Sequence, residues 1–286
     1  MQRLWLLLAP LGLLIPALAT AQLARPGTAG VIAGLQQEDV IALGERAYQR
    51  YCSGCHGVDG NGQGPAARWL DPKPRDFTAA TFKFRTTPSG TLPTDADLYR
   101  TITEGVHGTS MHGWRLVSET ERLALVQYIK TFSNAWEDES LFGRPMSIPT
   151  PPEDMKSDAR VRAGRTIYRA MNCHSCHGDA GAGDGPSAPE LKDDLGHPIA
   201  PANFQRGVLR GGRTYADIYR AIVTGYSGTP MPSFNSLKEE QVWDVVAYLR
   251  YVMKHQADPK NDEVDDPCTV WGTCAPAAPE APTEDN

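Results

Sequence analysis

The sequence predicts an all-α protein built from two tandem helical domains of the same design. Three observations support this prediction. A five-residue motif, C-x-x-C-H, occurs at positions 52–56 and again at 173–177. The segment 94–111 aligns without gaps to 214–231, with ten identities in eighteen positions. Apolar residues near both copies recur with a helical period, and no βαβ pattern surrounds either motif. A chain of 286 residues has room for about two such domains.

The first 21 residues have the pattern of a secretory signal peptide. Arg3 supplies the positive start, residues 4–19 form the apolar region, and Ala19-Thr20-Ala21 is a small-residue cleavage site. We expect the mature chain to begin at Gln22 and to be exported. An uncleaved membrane anchor is the alternative, but the apolar run is short for a span and contains two prolines.

The overall composition argues against a nucleic-acid partner. The formal net charge is −6, the calculated pI is about 5.7, and no basic run is present. An acidic protein of this kind is expected to dock on a partner that carries a basic patch.

Domain 1 is predicted to cover residues 38–133, with a helix at each end. Residues 38–51 have apolar side chains on one helical face, with Gly44 on that face and Tyr48 beside it. A glycine weakens a helix, so Gly44 predicts close approach of the last helix of the domain. Thr94 and Ser118 each open a capping box, and these boxes predict the two later helices.

The remaining segments follow from the repeat and from composition. Residues 134–156 are rich in proline and predict an extended, stiff linker. Domain 2 covers residues 157–255 and repeats the Gly and Tyr of the first helix as Gly164 and Tyr168. Residues 256–286 form an acidic tail rich in Pro and Ala, predicted to be disordered. Cys268 and Cys274 within it are expected to form a disulfide after export.

The repeated motif is the attachment signature of a c-type haem. Two thiols three positions apart on one helical turn can form thioethers to both vinyl groups of a haem, and the adjacent His then lies under the iron. The predicted attachment residues are Cys52, Cys55, Cys173 and Cys176, and the predicted proximal ligands are His56 and His177. The competing interpretation is a zinc site shared by both cysteine pairs. It is disfavoured because His directly follows each pair.

A second iron ligand is predicted on a loop of each domain. Met231 lies between two prolines, and Met111 occupies the matching position of the first repeat. His107 and His112 are rival ligands in domain 1, whereas domain 2 has Ser227 and Pro232 at those positions. A core role is the commoner fate of a methionine. The repeat of both loops favours Met111 and Met231 as the ligands.

These residues resemble the dihaem cytochromes c that are built from two class I domains, over about residues 38–255. The resemblance implies one covalent haem c in each domain, with methionine as the usual distal ligand. It also implies that a carbonyl at Pro65 accepts a hydrogen bond from the proximal imidazole. The run 81–86 together with residues 92–94 is similar to cytochromes that accompany respiratory molybdenum oxidoreductases and oxidases.

The resemblance implies a periplasmic carrier of single electrons between respiratory redox proteins and no catalytic residues of its own. Expected partners are a membrane quinol-oxidising complex, an oxidase or a reductase, with membrane association through these partners or an uncleaved leader. The alternative is a haem enzyme, such as a peroxidase, in which one axial ligand can be displaced. A haem-based sensor is a third interpretation, but no signalling domain is attached.

Overall fold

The computed structural model describes residues 34–255. The predicted signal peptide, its cleavage site, the Cys268–Cys274 pair and the acidic tail lie outside the described residues. Between residues 34 and 255 the regular structure is helical, with three isolated β-bridges and no β-strand. The all-α prediction is therefore confirmed.

Each domain contains four α-helices in the same order. The helices of domain 1 are α1 (Gln37–Tyr51), α2 (Ser53–His56), α3 (Asp95–Glu104) and α4 (Glu119–Lys130). Those of domain 2 are α5 (Asp158–Ala170), α6 (His174–His177), α7 (Tyr215–Thr224) and α8 (Glu239–His255). In each domain the first and last helices pack on one another, and the third helix also packs against the last.

Glycines permit the close helix crossings that the sequence predicted. A Cβ atom added at Gly44 would lie 2.7 Å from the Cβ of Tyr128 on α4, closer than two such atoms can approach. Gly164 has the same role in domain 2, where an added Cβ would lie 2.8 Å from the Cβ of Tyr248 on α8. Both crossings are therefore specified by a residue without a side chain.

The predicted capping boxes begin their helices. The Thr94 side chain accepts from the backbone N–H of Asp97, whose carboxylate accepts from the Thr94 N–H in return. Ser118 forms the same reciprocal pair at the start of α4. Thr214 repeats the Thr94 arrangement at the start of α7. These caps satisfy N–H groups that have no partner inside the helix.

The linker, which the sequence predicts to be extended and stiff, packs against both domains. It contains short 3-10 helices at Asn134–Glu137 and Glu139–Leu141. The backbone N–H of Met146 donates to the Thr86 carbonyl of domain 1 at 2.8 Å. Met146 and Ile148 then pack against the core of domain 2. Burial of these apolar side chains holds the linker against domain 2.

None of the helices between residues 34 and 255 combines the length and the apolar character needed to cross a membrane.

Candidate haem-binding sites

Both C-x-x-C-H motifs occupy the same position, a sharp junction between two helices. Helix α1 ends at Tyr51, and Cys52 separates it from the single turn of α2. The backbone N–H of His56 donates to the Cys52 carbonyl at 2.9 Å, and that of His177 donates to the Cys173 carbonyl at 3.0 Å. This helical turn places the two cysteines and the histidine of each motif on one short element, as thioether attachment requires.

Each proximal histidine is oriented by a backbone carbonyl. Nδ1 of His56 lies 2.9 Å from the carbonyl oxygen of Arg75, and Nδ1 of His177 lies 3.0 Å from that of Ala202. A carbonyl accepts only, so Nδ1–H is the donor and Nε2 carries the lone pair. The expectation that the Pro65 carbonyl accepts this hydrogen bond is wrong. The carbonyl comes from a later loop, which approaches the imidazole only in the folded domain.

A phenylalanine stacks on each proximal imidazole. The ring centroids of Phe77 and His56 are 4.6 Å apart with planes at 19°. Phe204 and His177 have the same separation with planes at 23°. Burial lowers the pKa of both histidines. The neutral imidazole, which is the form that binds iron, is therefore favoured at both sites.

The four motif cysteines form no disulfide and are half-buried. Burial raises the pKa of Cys52 to about 12, with the neighbouring Cys55 adding to the shift. Burial likewise raises the pKa of Cys173 to about 11. A redox-active C-x-x-C pair needs a low thiol pKa, so these values disfavour a dithiol redox site.

Close packing between the motif helix and the following loop depends on a glycine in each domain. A Cβ added at Gly64 would lie 2.6 Å from the Ser53 carbonyl oxygen, and one at Gly185 would lie 2.5 Å from that of His174.

Tyrosines of the first helices also support the motifs. The hydroxyl of Tyr48 donates to the carbonyl of Gly57 at 2.7 Å, as does that of Tyr168 to Gly178.

The two methionine loops have the same hydrogen-bonded frame. In domain 1 the Val106 N–H donates to the Met111 carbonyl at 2.7 Å, and the Met111 N–H donates to the Thr109 hydroxyl at 3.1 Å. In domain 2 the Tyr226 N–H donates to the Met231 carbonyl at 3.2 Å, and the Met231 N–H donates to the Thr229 hydroxyl at 3.2 Å. Sequence repeat and loop geometry therefore agree.

The rival histidines of domain 1 are on the surface. His107 and His112 are exposed, whereas Met111 is half-buried. The His112 ring packs against Trp114, with centroids 4.3 Å apart. Within residues 34–255 no cluster of three or more His, Cys, Asp or Glu side chains forms a separate metal site.

Comparisons with known proteins match both domains to cytochromes. Residues 161–253 match the family described as cytochrome c, and residues 39–129 match cytochrome c oxidase, cbb3-type, subunit III. A solved structure from the reducing HAO-like protein complex of Kuenenia stuttgartiensis is 41% identical, with a TM-score of 0.71. The alignment covers 73% of this chain and 95% of that one. A search of curated proteins found no match. The chain belongs to the dihaem cytochromes c.

The residues of this dihaem cytochrome c fit a covalent haem in each domain. Each site offers two free thiols on one turn and a half-buried imidazole whose Nδ1 is already engaged, which directs Nε2 toward a metal. Bound haem would supply an iron that cycles between ferric and ferrous states. The chain's own residues orient the imidazole and favour its neutral form.

Sequence reasoning missed the carbonyls and rings that support each histidine of this cytochrome. A short repeated signal does precede them: Pro74-Arg75-Asp76-Phe77 in domain 1 matches Pro201-Ala202-Asn203-Phe204 in domain 2. The pattern P-x-[DN]-F provides the carbonyl acceptor at its second position and the stacking ring at its fourth. Its repetition could have identified both.

Proposed function

We propose that this cytochrome is an exported carrier of single electrons between respiratory redox proteins. The observation that carries the proposal is the duplication of one haem site, with the same imidazole hydrogen bond and ring stacking in both domains. Two six-coordinate haems hold no open position for substrate. They can therefore accept and donate electrons without binding a substrate at iron.

We further propose His/Met ligation at both irons, from His56 and Met111 in domain 1 and from His177 and Met231 in domain 2. The matching methionine loops support this assignment. Thioether ligation stabilises ferrous iron and favours a high potential.

The proposed partners are redox proteins: a membrane quinol-oxidising complex, an oxidase or a reductase. The similar structure comes from a complex with an HAO-like protein, which favours a second role for this chain as an electron-transfer subunit of an oxidoreductase. The acidic net charge supports docking on a basic surface. A pull-down of the native protein from its membranes would identify the partner, and capture of a catalytic haem protein would favour the subunit role.

Export is proposed from the leader at residues 1–21. We also propose the predicted boundaries of domain 1 at 38–133, of the linker at 134–156 and of domain 2 at 157–255. N-terminal sequencing of the exported protein should begin at Gln22. A chain that retains Met1 would favour the membrane anchor. Limited proteolysis between the proposed domains should release two fragments that each retain haem.

The haem count tests the central part of the proposal. Intact mass and a haem stain should report two covalent haems per mature chain. Replacing Cys52 and Cys55 by Ala should remove one haem, and the matched change of Cys173 and Cys176 should remove the other. Loss of both haems from either variant would contradict independent attachment sites.

Carbon monoxide binding separates the carrier from the haem-enzyme alternative. A carrier with two strong axial ligands should bind carbon monoxide slowly and weakly at neutral pH. Fast, tight binding to one haem would instead support an enzyme with a displaceable ligand.

A further inference from the structure

Residues 81–85 of domain 1, here called the bridging loop, lie against the methionine loop of domain 2. The ring of Phe84 packs edge-on against that of Tyr226. Thr81 lies against the backbone of Gly228, since a Cβ atom added at Gly228 would lie 2.8 Å from Cγ2 of Thr81. The bridging loop therefore touches two positions of a loop that belongs to the other domain.

Both of these positions belong to the hydrogen-bonded frame that holds Met231. The Tyr226 N–H donates to the Met231 carbonyl at 3.2 Å, and the Tyr226 carbonyl accepts from the Thr229 N–H at 3.1 Å. The Thr229 hydroxyl in turn accepts from the Met231 N–H. Gly228 lies inside this closed turn with φ at +73°, a left-handed conformation that favours glycine. A displacement of Tyr226 or Gly228 would therefore move the backbone of Met231.

The bridging loop is anchored in domain 1. Phe82 is buried in the core of that domain and contacts Phe77, the ring that stacks on the proximal imidazole. Arg85 is buried at the end of the loop, and its Nη2 donates to the Thr224 carbonyl of domain 2 at 2.9 Å. Because buried side chains hold the loop in place, its contacts can restrict the motion of the segment that it touches.

The methionine loop of domain 1 has one matching contact in return. Val208 is the counterpart of Thr81, since each follows the stacking phenylalanine of its domain by four residues. A Cβ atom added at Gly108 would lie 3.1 Å from Cγ1 of Val208. Val106 stands where domain 2 has Tyr226, so the ring contact has no counterpart at that position. The support that the two domains give to each other's methionine loops is therefore unequal.

The two methionine loops also differ in exposure. His107 and Gly108 are exposed, whereas the matching Ser227 and Gly228 are half-buried. The Gly228 carbonyl additionally accepts from the Asp194 N–H at 3.1 Å, so this loop has contacts to both domains. A loop that is covered in this way opens less often than an exposed one. Opening matters here because a distal ligand stays bound to iron only while its loop is closed.

We propose that the bridging loop of domain 1 holds the methionine loop of domain 2 closed, so that Met231 stays bound to the iron of domain 2. The proposal rests on the proposed ligation of that iron by Met231. Thr81 and Phe84 are positioning residues, because they act on Met231 through the loop that carries it. A ligand that is held in this way keeps the potential of its haem constant from one electron transfer to the next.

The test uses the full-length protein with both haems attached, in a Met111→Ala background, so that the far-red thioether band reports Met231 alone. Saturating imidazole displaces the thioether from ferric iron: the iron–sulfur bond breaks and an iron–nitrogen bond forms, with no change of oxidation state. The rate at which the band is lost then measures opening of the methionine loop. Phe84→Ala should raise this rate about two- to tenfold, the factor that corresponds to the loss of one aromatic pair.

Two controls show whether the effect passes from one domain to the other. Tyr226→Phe is the matched control, because it keeps both rings and should leave the rate unchanged. The second control repeats the measurement in a Met231→Ala background, where the band reports Met111. Phe84→Ala should leave the rate at Met111 unchanged, although Phe84 belongs to domain 1.

A second variant covers a folding failure of Phe84→Ala. Thr81→Ser removes the methyl group beside Gly228 and keeps the hydroxyl that donates to the Ala79 carbonyl, so it should raise the rate at Met231 by a smaller factor. An unchanged rate at Met231 in folded Phe84→Ala, or in Thr81→Ser where Phe84→Ala does not fold, would overturn the proposal. A change at Met111 as large as that at Met231 would overturn it as well.

Amide hydrogen exchange over residues 226–231 reads the opening of the loop without reference to iron. Exchange should be faster in Phe84→Ala than in the wild type, because the loop opens more often. If the Met111→Ala protein lacks the far-red band, ligation by Met231 is wrong and the proposal falls with it. If the band is present and neither the displacement rate nor the exchange changes, the role of the bridging loop alone is wrong.

Discussion

Phe84 of domain 1 packs edge-on against Tyr226 of domain 2, with ring centroids 5.6 Å apart and planes at 77°. Tyr226 precedes the methionine loop of domain 2, and its N–H donates to the Met231 carbonyl. Burial raises the pKa of Tyr226 to about 12, so its hydroxyl stays neutral. The aromatic pair therefore links the loop that follows the first attachment motif to the methionine loop of domain 2.

Phe84→Ala should weaken the contact between the domains. The loss of an aromatic pair costs about 0.5–1.5 kcal/mol beyond the buried area. Urea unfolding followed by haem absorbance should show a lower midpoint. Tyr226→Phe keeps both rings and is the control, with an expected change below about 0.5 kcal/mol. Equal midpoints for Phe84→Ala and the wild type would contradict a stabilising role.

Gly44→Ala should destabilise domain 1. The new methyl group would overlap the backbone of α4 at Ala124 and the Cβ of Tyr128. Overpacking of this kind costs about 1–3 kcal/mol. Thermal unfolding followed by circular dichroism should report the loss. Gly54→Ala is the control, because a Cβ there meets no atom within 4 Å. A comparable loss at Gly54 would show that helix crossing is not the cause.

Met111→Ala should halve the weak far-red absorption band that a thioether gives with ferric low-spin haem. One potential should fall, because sulfur no longer stabilises ferrous iron. Met231→Ala should affect the other haem in the same way. His107→Ala and His112→Ala should leave the band unchanged.

The opposite result has a clear meaning. If Met111→Ala leaves the band intact while one of the two histidine variants changes the haem spectrum, domain 1 has His/His ligation. Its haem would then work at a lower potential than that of domain 2, and electrons would pass downhill from the first haem to the second.

Asp217 should make the stability of domain 2 sensitive to acid. Burial alone would raise its pKa, but hydrogen bonds from Thr214 and Arg220 outweigh burial and lower it. A carboxylate with a lowered folded-state pKa contributes stability above its unfolded pKa of about 4 and loses it as pH falls through the folded value. Asp217→Asn should therefore reduce stability at pH 7 and flatten its decline in acid.

The measurement is a series of urea unfolding curves from neutral pH down to about pH 3, a range that spans the usual carboxyl pKa. Glu153→Gln removes an exposed carboxylate and is the control. A decline in acid that is as steep in Asp217→Asn as in the wild type would show that other carboxylates dominate.

The sequence by itself determined the features that depend on local spacing. The helix pattern, the Thr94 and Ser118 capping boxes and the two attachment motifs each involve residues within a few positions of one another. Gly44 also indicated a close helix crossing, because a glycine on the apolar face of a helix has few other uses. Such features depend on short-range sterics and hydrogen bonds, so they can be predicted from the sequence without knowledge of the tertiary structure.

Only the tertiary structure decided which groups support each haem site and how the domains meet. The carbonyl that orients His56 lies 19 residues away in the chain, and that for His177 lies 25 residues away. The bond from Arg85 to Thr224 spans 139 residues. A carbonyl acceptor exists at every residue and carries no side-chain signature. Which carbonyl reaches an imidazole or a guanidinium is therefore set by the path of the folded chain.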